Sequence, residues 1–412
     1  MGSDEFGKWK GGKGMSEWKK VKLGDLYTVH NGLSKSKEFF GSGYPFLTFS
    51  NVFNNWFLPD KLEALVQSTD KDRESFSIQR GDIFITRTSE TMNELGMSSV
   101  ALKDYPNATF NGFTKRLRPK NDDVLPEYIG YYLRSKKFRN KFLAFSSMTT
   151  RASLANSDLL DMEVEVPEKN VQRNIANILS RYDSLIENYQ KQIKLLEESA
   201  QRLYKDWFVD LRFPGYENTK FVDGVPEGWE KKSIAELGSF INGFAFKPSD
   251  WHDNGLPIIK IKEMGKGISI DTPRNNGERV PEKYLVTTGD LLFSWSATLM
   301  VIVWAGENGW LNQHLFKVIP KERISREFVL QSISNAIIEF SNLTTGSTMK
   351  HIQRNKLDQV FVNVPCAEIM QEYNTFGETL REQIINISSQ IHKLTEARDR
   401  LLPKLMSGEI EV

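Results

Sequence analysis

The chain has 412 residues, 39% of them apolar and 26% charged, with 54 Lys and Arg against 53 Asp and Glu. This length and apolar share support two or three packed domains and exclude a disordered chain, while a formal net charge of +1 neither demands nor excludes a polyanionic partner. A single cysteine, Cys366, excludes an intrachain disulfide and makes a reducing cytoplasm the expected compartment, and no apolar run approaches a membrane span.

Residues 1–14, MGSDEFGKWKGGKG, read as a tag and linker ahead of a second start at Met15. From Glu17, EWKKVKLGDLYTVHNG has a counterpart from Gly228, GWEKKSIAELGSFINGF, which aligns Trp18 with Trp229, Leu26 with Leu237 and Asn31-Gly32 with Asn242-Gly243. Apolar runs of strand type follow turn-prone glycines in both halves, YPFLTFSNV from Tyr44 and LPIIKIKEM from Leu256. Gly81-Asp82 and Gly289-Asp290 then each open a buried strand. What comes next differs completely, RTSETMNELGMSSV from Arg87 against SWSATLMVIVWAG from Ser294.

The halves converge again on an Asn-centred strand, FNGFTKRLRP from Phe110 and LNQHLFKVIP from Leu311, and on a short amphipathic helix, PEYIGYYLRSKKF and REFVLQSISNAII. Small polar loops, SSMTTRASL and TGSTMKHI, precede the alternating strands MEVEVP and VFVNVP, which lead through Pro167 and Pro365 into two long helices. In the first, Ile175, Leu179, Tyr182, Ile186, Tyr189, Ile193, Leu196, Ala200 and Leu203 recur in steps of four and three, the seam of a coiled coil. Tyr373, Gly377, Leu380, Ile384, Ile387, Ile391, Leu394, Arg398 and Leu401 repeat the steps in the second, at one constant offset. The chain is therefore an internal duplication that supplies its own partner helix.

Helix one ends where the second half begins and helix two starts where that half finishes, so the pair is predicted to be antiparallel. About 35 residues at 1.5 Å each give a spacer of about 50 Å. The alternative is an ordinary helical hairpin inside a larger fold. The expected architecture is α+β: a first α/β domain over 15–168, spacer helix 169–208, a Pro- and Gly-rich linker 209–227, a second α/β domain over 228–366, spacer helix 367–407 and a tail 408–412. A shared scaffold with divergent loops is what two different specificities on one frame require.

Catalytic signatures are missing from the sequence. Neither half has a Gly-rich phosphate turn between strand and helix, and no Asn/Asp-Pro-Pro-aromatic run occurs. The five histidines are scattered, with no Cys/His pair at ligand spacing. Cys366 after a strand reads as a small buried hydrophobe, and Asp60 with Glu63 lies too close for a nuclease cluster and lacks a lysine in register. A chain without catalysis, metal or cofactor of its own is expected.

The runs LIENYQKQIKLLEESAQRLYKDWFVDLRFPGYE, LNQHLFKVIP and RDRLLPKLMSGEI together resemble the specificity subunit of type I restriction-modification systems, and the likeness covers nearly all of 17–412. The resemblance implies two target-recognition domains, each reading one half of a bipartite, asymmetric sequence in double-stranded DNA, with the helices setting the gap. Two modification subunits would bring S-adenosylmethionine and flip the target adenine for N6-methylation, and two restriction subunits would use ATP and Mg²⁺. A 50 Å separation exceeds one DNA turn of roughly 34 Å, so both readers could face one side of the duplex. Rival readings are an autonomous DNA-modifying or DNA-cleaving enzyme, and a coiled-coil adaptor that ignores DNA.

Base reading needs donors and acceptors that reach a groove edge, which directs attention to the divergent loops. The candidates in the first domain are Arg87, Thr88, Ser89 and Glu90, with Thr149, Thr150 and Arg151. In the second they are Ser294, Trp295 and Ser296, with Ser347, Lys350, His351 and Arg354. Lys115, Arg116 and Arg118, with Lys317 in the repeat, are expected to position phosphates. Asn312-Gln313-His314 is expected to satisfy buried backbone groups.

Overall fold

The structure, a computed structural model, describes residues 18–412 except 90–93, 146, 149–151, 154, 270 and 344–353. It divides into two compact units, Met1–Asp183 with Glu396–Val412, and Ser184–Thr395. The proposed tag lies outside the described residues.

In the first unit a four-stranded antiparallel sheet has the order Tyr27–Asn31, Thr114–Pro119, Ile83–Thr86, Ser98–Val100. A second sheet orders Leu65–Val66, Phe40–Leu47, Thr109–Phe110, with the last pair parallel. Lys19–Lys22 pairs with Glu163–Val166, so the chain enters and leaves the domain on adjacent strands. Ile83 and Ile85 join one core with Tyr128 and Tyr131, whereas Phe84 between them joins another with Phe110. The alternation of a strand thus puts a helix layer on one face and the second sheet on the other.

The second unit repeats this topology. Its main sheet runs Gly238–Asn242, Leu315–Pro320, Leu291–Ser294, Met300–Val303, and its second Arg274–Asn275, Leu256–Ile259, Gly309–Leu311, Leu285–Val286. Leu291 and Phe293 face the aromatic core while Leu292 faces the other side. Glu230–Ser233 pairs with Phe361–Val364, as the corresponding strands do in the first unit. Gly81 and Gly289 open equivalent strands at φ of 89° and 97°, a left-handed conformation suited to glycine, and the following aspartates accept the N–H of Gln79 and Thr287, both at 2.7 Å.

Two local expectations are corrected. The runs TFSNV and KIKEM do not continue as strand: they turn into short helices, Phe49–Asn54 and Ile261–Lys266. Thr48 caps the first by accepting the N–H of Asn51 at 3.1 Å, and Glu263 returns to the N–H of Lys260 at 3.1 Å in the second, satisfying amides that a helix start leaves free. The segment PEYIGYYLRSKKF forms two helices, Pro126–Arg134 and Lys136–Phe145, rather than one. The buried Ser135 hydroxyl between them bonds the carbonyl of Tyr132 at 2.6 Å.

The long helices span Lys169–Tyr204 and Ala367–Ser407, and every position of the four-and-three repeat is buried or half-buried in both. In the first unit Ile175 and Leu179 of helix one share a core with Leu402, Leu405 and Met406 of helix two. In the second unit Tyr204 of helix one, with Trp207 and Phe208 just beyond it, packs with Tyr373 of helix two. Early residues of one helix meet late residues of the other, the order of an antiparallel pair. No helix among the described residues is long and apolar enough to cross a membrane.

Each unit pins its stretch of the helix pair with an ion pair. In the first, Arg398 donates to Asp183 at 2.6 Å, Asp183 also receives the Tyr131 hydroxyl, and the guanidinium lies 5.2 Å from the Trp56 ring centroid. In the second, Arg381 forks onto Glu327 at 2.7 and 3.1 Å, and Gln331 donates to the same carboxylate at 2.8 Å. Gly377 permits this approach, because a Cβ there would stand 3.0 Å from Cγ of Glu327.

Candidate nucleic-acid interface

Three strands of each main sheet come to one edge at equivalent residues. In the first domain Asn31 pairs with Lys115 and Thr86 with Thr114, so the turn Asn111–Thr114 sits between the ends of two neighbouring strands. The turn is held by its own asparagine: Asn111 accepts the N–H of Phe113 on its side-chain oxygen at 2.6 Å, and its carbonyl accepts from the Thr114 hydroxyl at 2.7 Å. Gly32 crosses directly beneath. A Cβ on Gly32 would lie 2.0 Å from the Asn111 oxygen, and one on Gly243 would lie 2.2 Å from the Asn312 oxygen. Replacing either glycine with alanine is expected to destabilise its domain by about 1–3 kcal/mol through forced backbone displacement, read as a lower urea midpoint.

This edge gathers loops that are far apart in sequence. The Arg87 N–H donates to the carbonyl of Phe113 at 3.0 Å. Beyond it, Thr88–Ser89 pairs with Ala152–Ser153, which pairs in turn with Ser147–Met148, so both divergent stretches of the first domain build one small sheet. Thr86 closes the base of the first stretch by donating to Glu94 at 2.6 Å and accepting from Met97 at 2.9 Å. Glu90, Thr149, Thr150 and Arg151 lie outside the described residues.

The expected phosphate-binding row is turned inward. Arg118 forks onto the fully buried Asp82 at 2.8 and 2.6 Å, and Arg116, itself buried, donates to the Ser77 carbonyl at 2.7 Å with Phe110 beneath it. The two-residue period of the strand points both at the second sheet. Lys115 faces the opposite way yet is also buried and bonds the Asn156 side chain; burial first, then the charge of Arg87, holds its ammonium pKa below the usual lysine range. Lys317 repeats the pattern in the second domain, 2.7 Å from Asp290. These cations neutralise the aspartates of the duplicated Gly-Asp turns or fill the interior, which is a structural duty.

The second domain uses the same edge with different side chains. Asn242, Ser294 and the turn from Asn312 converge, with Ser294 opposite Leu315 and Asn242 opposite Phe316. Ser294 and Ser296 are buried, and the Ser294 hydroxyl donates to the Ser296 carbonyl at 3.2 Å, so both shape the turn instead of presenting themselves. Trp295 between them donates to Asn242 at 3.1 Å and lies 5.9 Å, centroid to centroid, from His314. Asn312 is buried, and its side-chain oxygen accepts the His314 N–H at 3.4 Å, the backbone role expected of it. Arg354 begins a 3-10 turn, while Ser347, Lys350 and His351 lie outside the described residues.

One residue escaped the sequence reading. Phe113 stands at the tip of the first-domain turn with 58% of its surface exposed. Its signal was available in the alignment of FNGFT with LNQHL, where the position two beyond the shared asparagine changes from aromatic to imidazole.

The type I restriction modification DNA specificity domain model matches the chain twice, over residues 15–198 and 226–396. The chain is 27% identical over 433 residues to the type I restriction enzyme MjaIX specificity subunit of Methanocaldococcus jannaschii, covering 99% of this chain and 97% of that one. It is 24% identical over 469 residues to the HindI specificity subunit of Haemophilus influenzae, covering 96% and 100%. Among solved structures, the S subunit of a type I restriction-modification system from M. genitalium superposes with a TM-score of 0.53 at 16% identity, over 94% of this chain and 96% of that one, which shows a common fold. The chain belongs to the type I restriction modification DNA specificity domain family.

Proposed function

We propose that this specificity subunit reads a bipartite, asymmetric DNA sequence with one domain per half-site, and that its paired helices set the number of unspecified bases between them. The observation that carries the reading is the duplicated strand edge: one backbone platform, built twice with the same turn and the same glycine crossing, holds Arg87 and Phe113 in one domain and Trp295 and His314 in the other. Identical frames with different outward chemistry suit recognition of two different base sequences. Among the candidate residues that the structure describes, Arg87, the Thr88–Ser89 stretch and Trp295 belong to this edge.

The chain itself performs no chemistry in this reading. It docks two modification subunits carrying S-adenosylmethionine and two restriction subunits using ATP and Mg²⁺, in the cytoplasm. The test is reconstitution. The purified chain with DNA, S-adenosylmethionine and Mg²⁺ is expected to show no turnover, and addition of the modification subunits is expected to produce N6-methyladenine in one two-part sequence. Turnover by the chain alone, or methylation at a continuous site, contradicts the proposal.

A further inference from the structure

Resting on that reading, we propose that Phe113 is a specificity-determining residue that makes an apolar contact with the 5-methyl group of one thymine in the half-site read by the first domain. Phe113 is a large ring left 58% exposed at the edge where the divergent loops meet. Among the described residues no second ring or cation covers it. In the repeat, His314 takes the equivalent place after the shared asparagine, but Trp295 lies against it at 5.9 Å. Arg87 occupies the position of Trp295 and meets Phe113 through its backbone N–H, at 3.0 Å from the Phe113 carbonyl.

The backbone that carries the ring is also fixed before any ligand arrives. Its own N–H is bonded to Asn111 at 2.6 Å, its carbonyl receives Arg87, and Thr114 beyond it is fixed at 2.7 Å to the Asn111 carbonyl. An apolar side chain on a rigid turn loses little freedom on binding. A phenylalanine has no donor or acceptor with which to read a base edge. The distinctive apolar feature in the major groove is the thymine methyl group, for which phenylalanine is one of the suitable contacts. A buried ring would have a packing explanation, and among the described residues this one has none.

The test uses the assembled methylating complex and duplexes carrying its mapped target, in which each thymine of the first-domain half-site, on either strand, is replaced singly by deoxyuridine. This exchange removes only the methyl group. One position is expected to slow methylation by about 3- to 10-fold, consistent with loss of a single buried methyl group. Phe113→Ala is expected to slow methylation of the unmodified target at least as much, to leave discrimination in the second half-site unchanged, and to abolish the effect of deoxyuridine at that position. Phe113→Leu retains most activity because an apolar contact persists.

Wild-type complex indifferent to deoxyuridine at every position overturns the proposal, as does a first half-site lacking thymine on both strands. Phe113→Ala with unchanged rate and selectivity overturns it too. An impaired Phe113→Ala combined with indifference to deoxyuridine indicates a wedge between base steps and rejects the methyl contact. Failure of the underlying reading is distinct: the wild-type complex would then methylate no two-part sequence.

Discussion

Arg381→Met is expected to lower the stability of the second unit by about 3–5 kcal/mol, among the largest single-residue losses available to this chain. Arg381 is 5% exposed and its partner Glu327 is 0% exposed, so deleting the guanidinium leaves a carboxylate without water and without its counter-charge. Gln331 supplies one neutral donor, too little to replace two charge-assisted bonds. Neighbouring Tyr373 and Gly377 are packed around the pair, which restricts the relaxation that could admit water. For a unit of this size the loss corresponds to a fall in melting temperature on the order of 10 °C.

Glu327→Met combined with Arg381→Met is expected to recover much of that loss, because two apolar side chains of similar volume remove the stranded charge. Arg398→Met in the first unit should cost less, since Asp183 retains the Tyr131 hydroxyl and is partly exposed to solvent. Thermal unfolding of the full-length variants separates these cases. Equal losses at both sites would contradict the distinction drawn from burial.

The helices and the duplication were legible in the sequence because they depend on periodicity, which a few apolar positions such as Ile186 and Ile384 establish without reference to the rest of the chain. The strand order was not. It rests on pairings such as Val29 with Leu117 and Ile83 with Val100, whose partners are distant and leave no local mark. The candidate edge was visible only as two divergent stretches, and their union through Thr88–Ser89 and Ala152–Ser153 is a tertiary event.

The basic row Lys115, Arg116 and Arg118 misled for a physical reason. Charge in a sequence suggests solvent, but both faces of this sheet are covered, one by the helix layer that packs on Ile83 and Ile85 and the other by the second sheet that packs on Phe84, so its cations required internal acceptors. Asp82, in the turn of another strand, is the acceptor for Arg118, and nothing in the spacing announces it. Phe113 went unread for a different reason: an aromatic beside a strand ordinarily belongs to the core and draws no notice, while the asparagine turn carries this one outward.

Exchanging residues 17–168 for the corresponding domain of a relative with another specificity is expected to replace one half of the methylated sequence completely and leave the other half intact. The fold favours such an exchange because the domain is closed at its neck by the pairing of Lys19–Lys22 with Glu163–Val166, which a transplanted domain carries with it. The contacts it must recreate include the face presented to Ile175 and Leu179 of helix one and Leu402 and Leu405 of helix two, the bonds of Gln172 to Leu125 and Asp123, and a donor to Asp183 in place of Tyr131. An incoming domain that lacks that hydroxyl still finds Asp183 paired with Arg398, so the helices keep their own lock. The readout is the map of N6-methyladenine in cells making the whole complex. A chimera that folds and methylates but changes both halves at once would show that the domains do not read independently, and an unchanged map would favour a chain that binds its partners and leaves the DNA sequence to them.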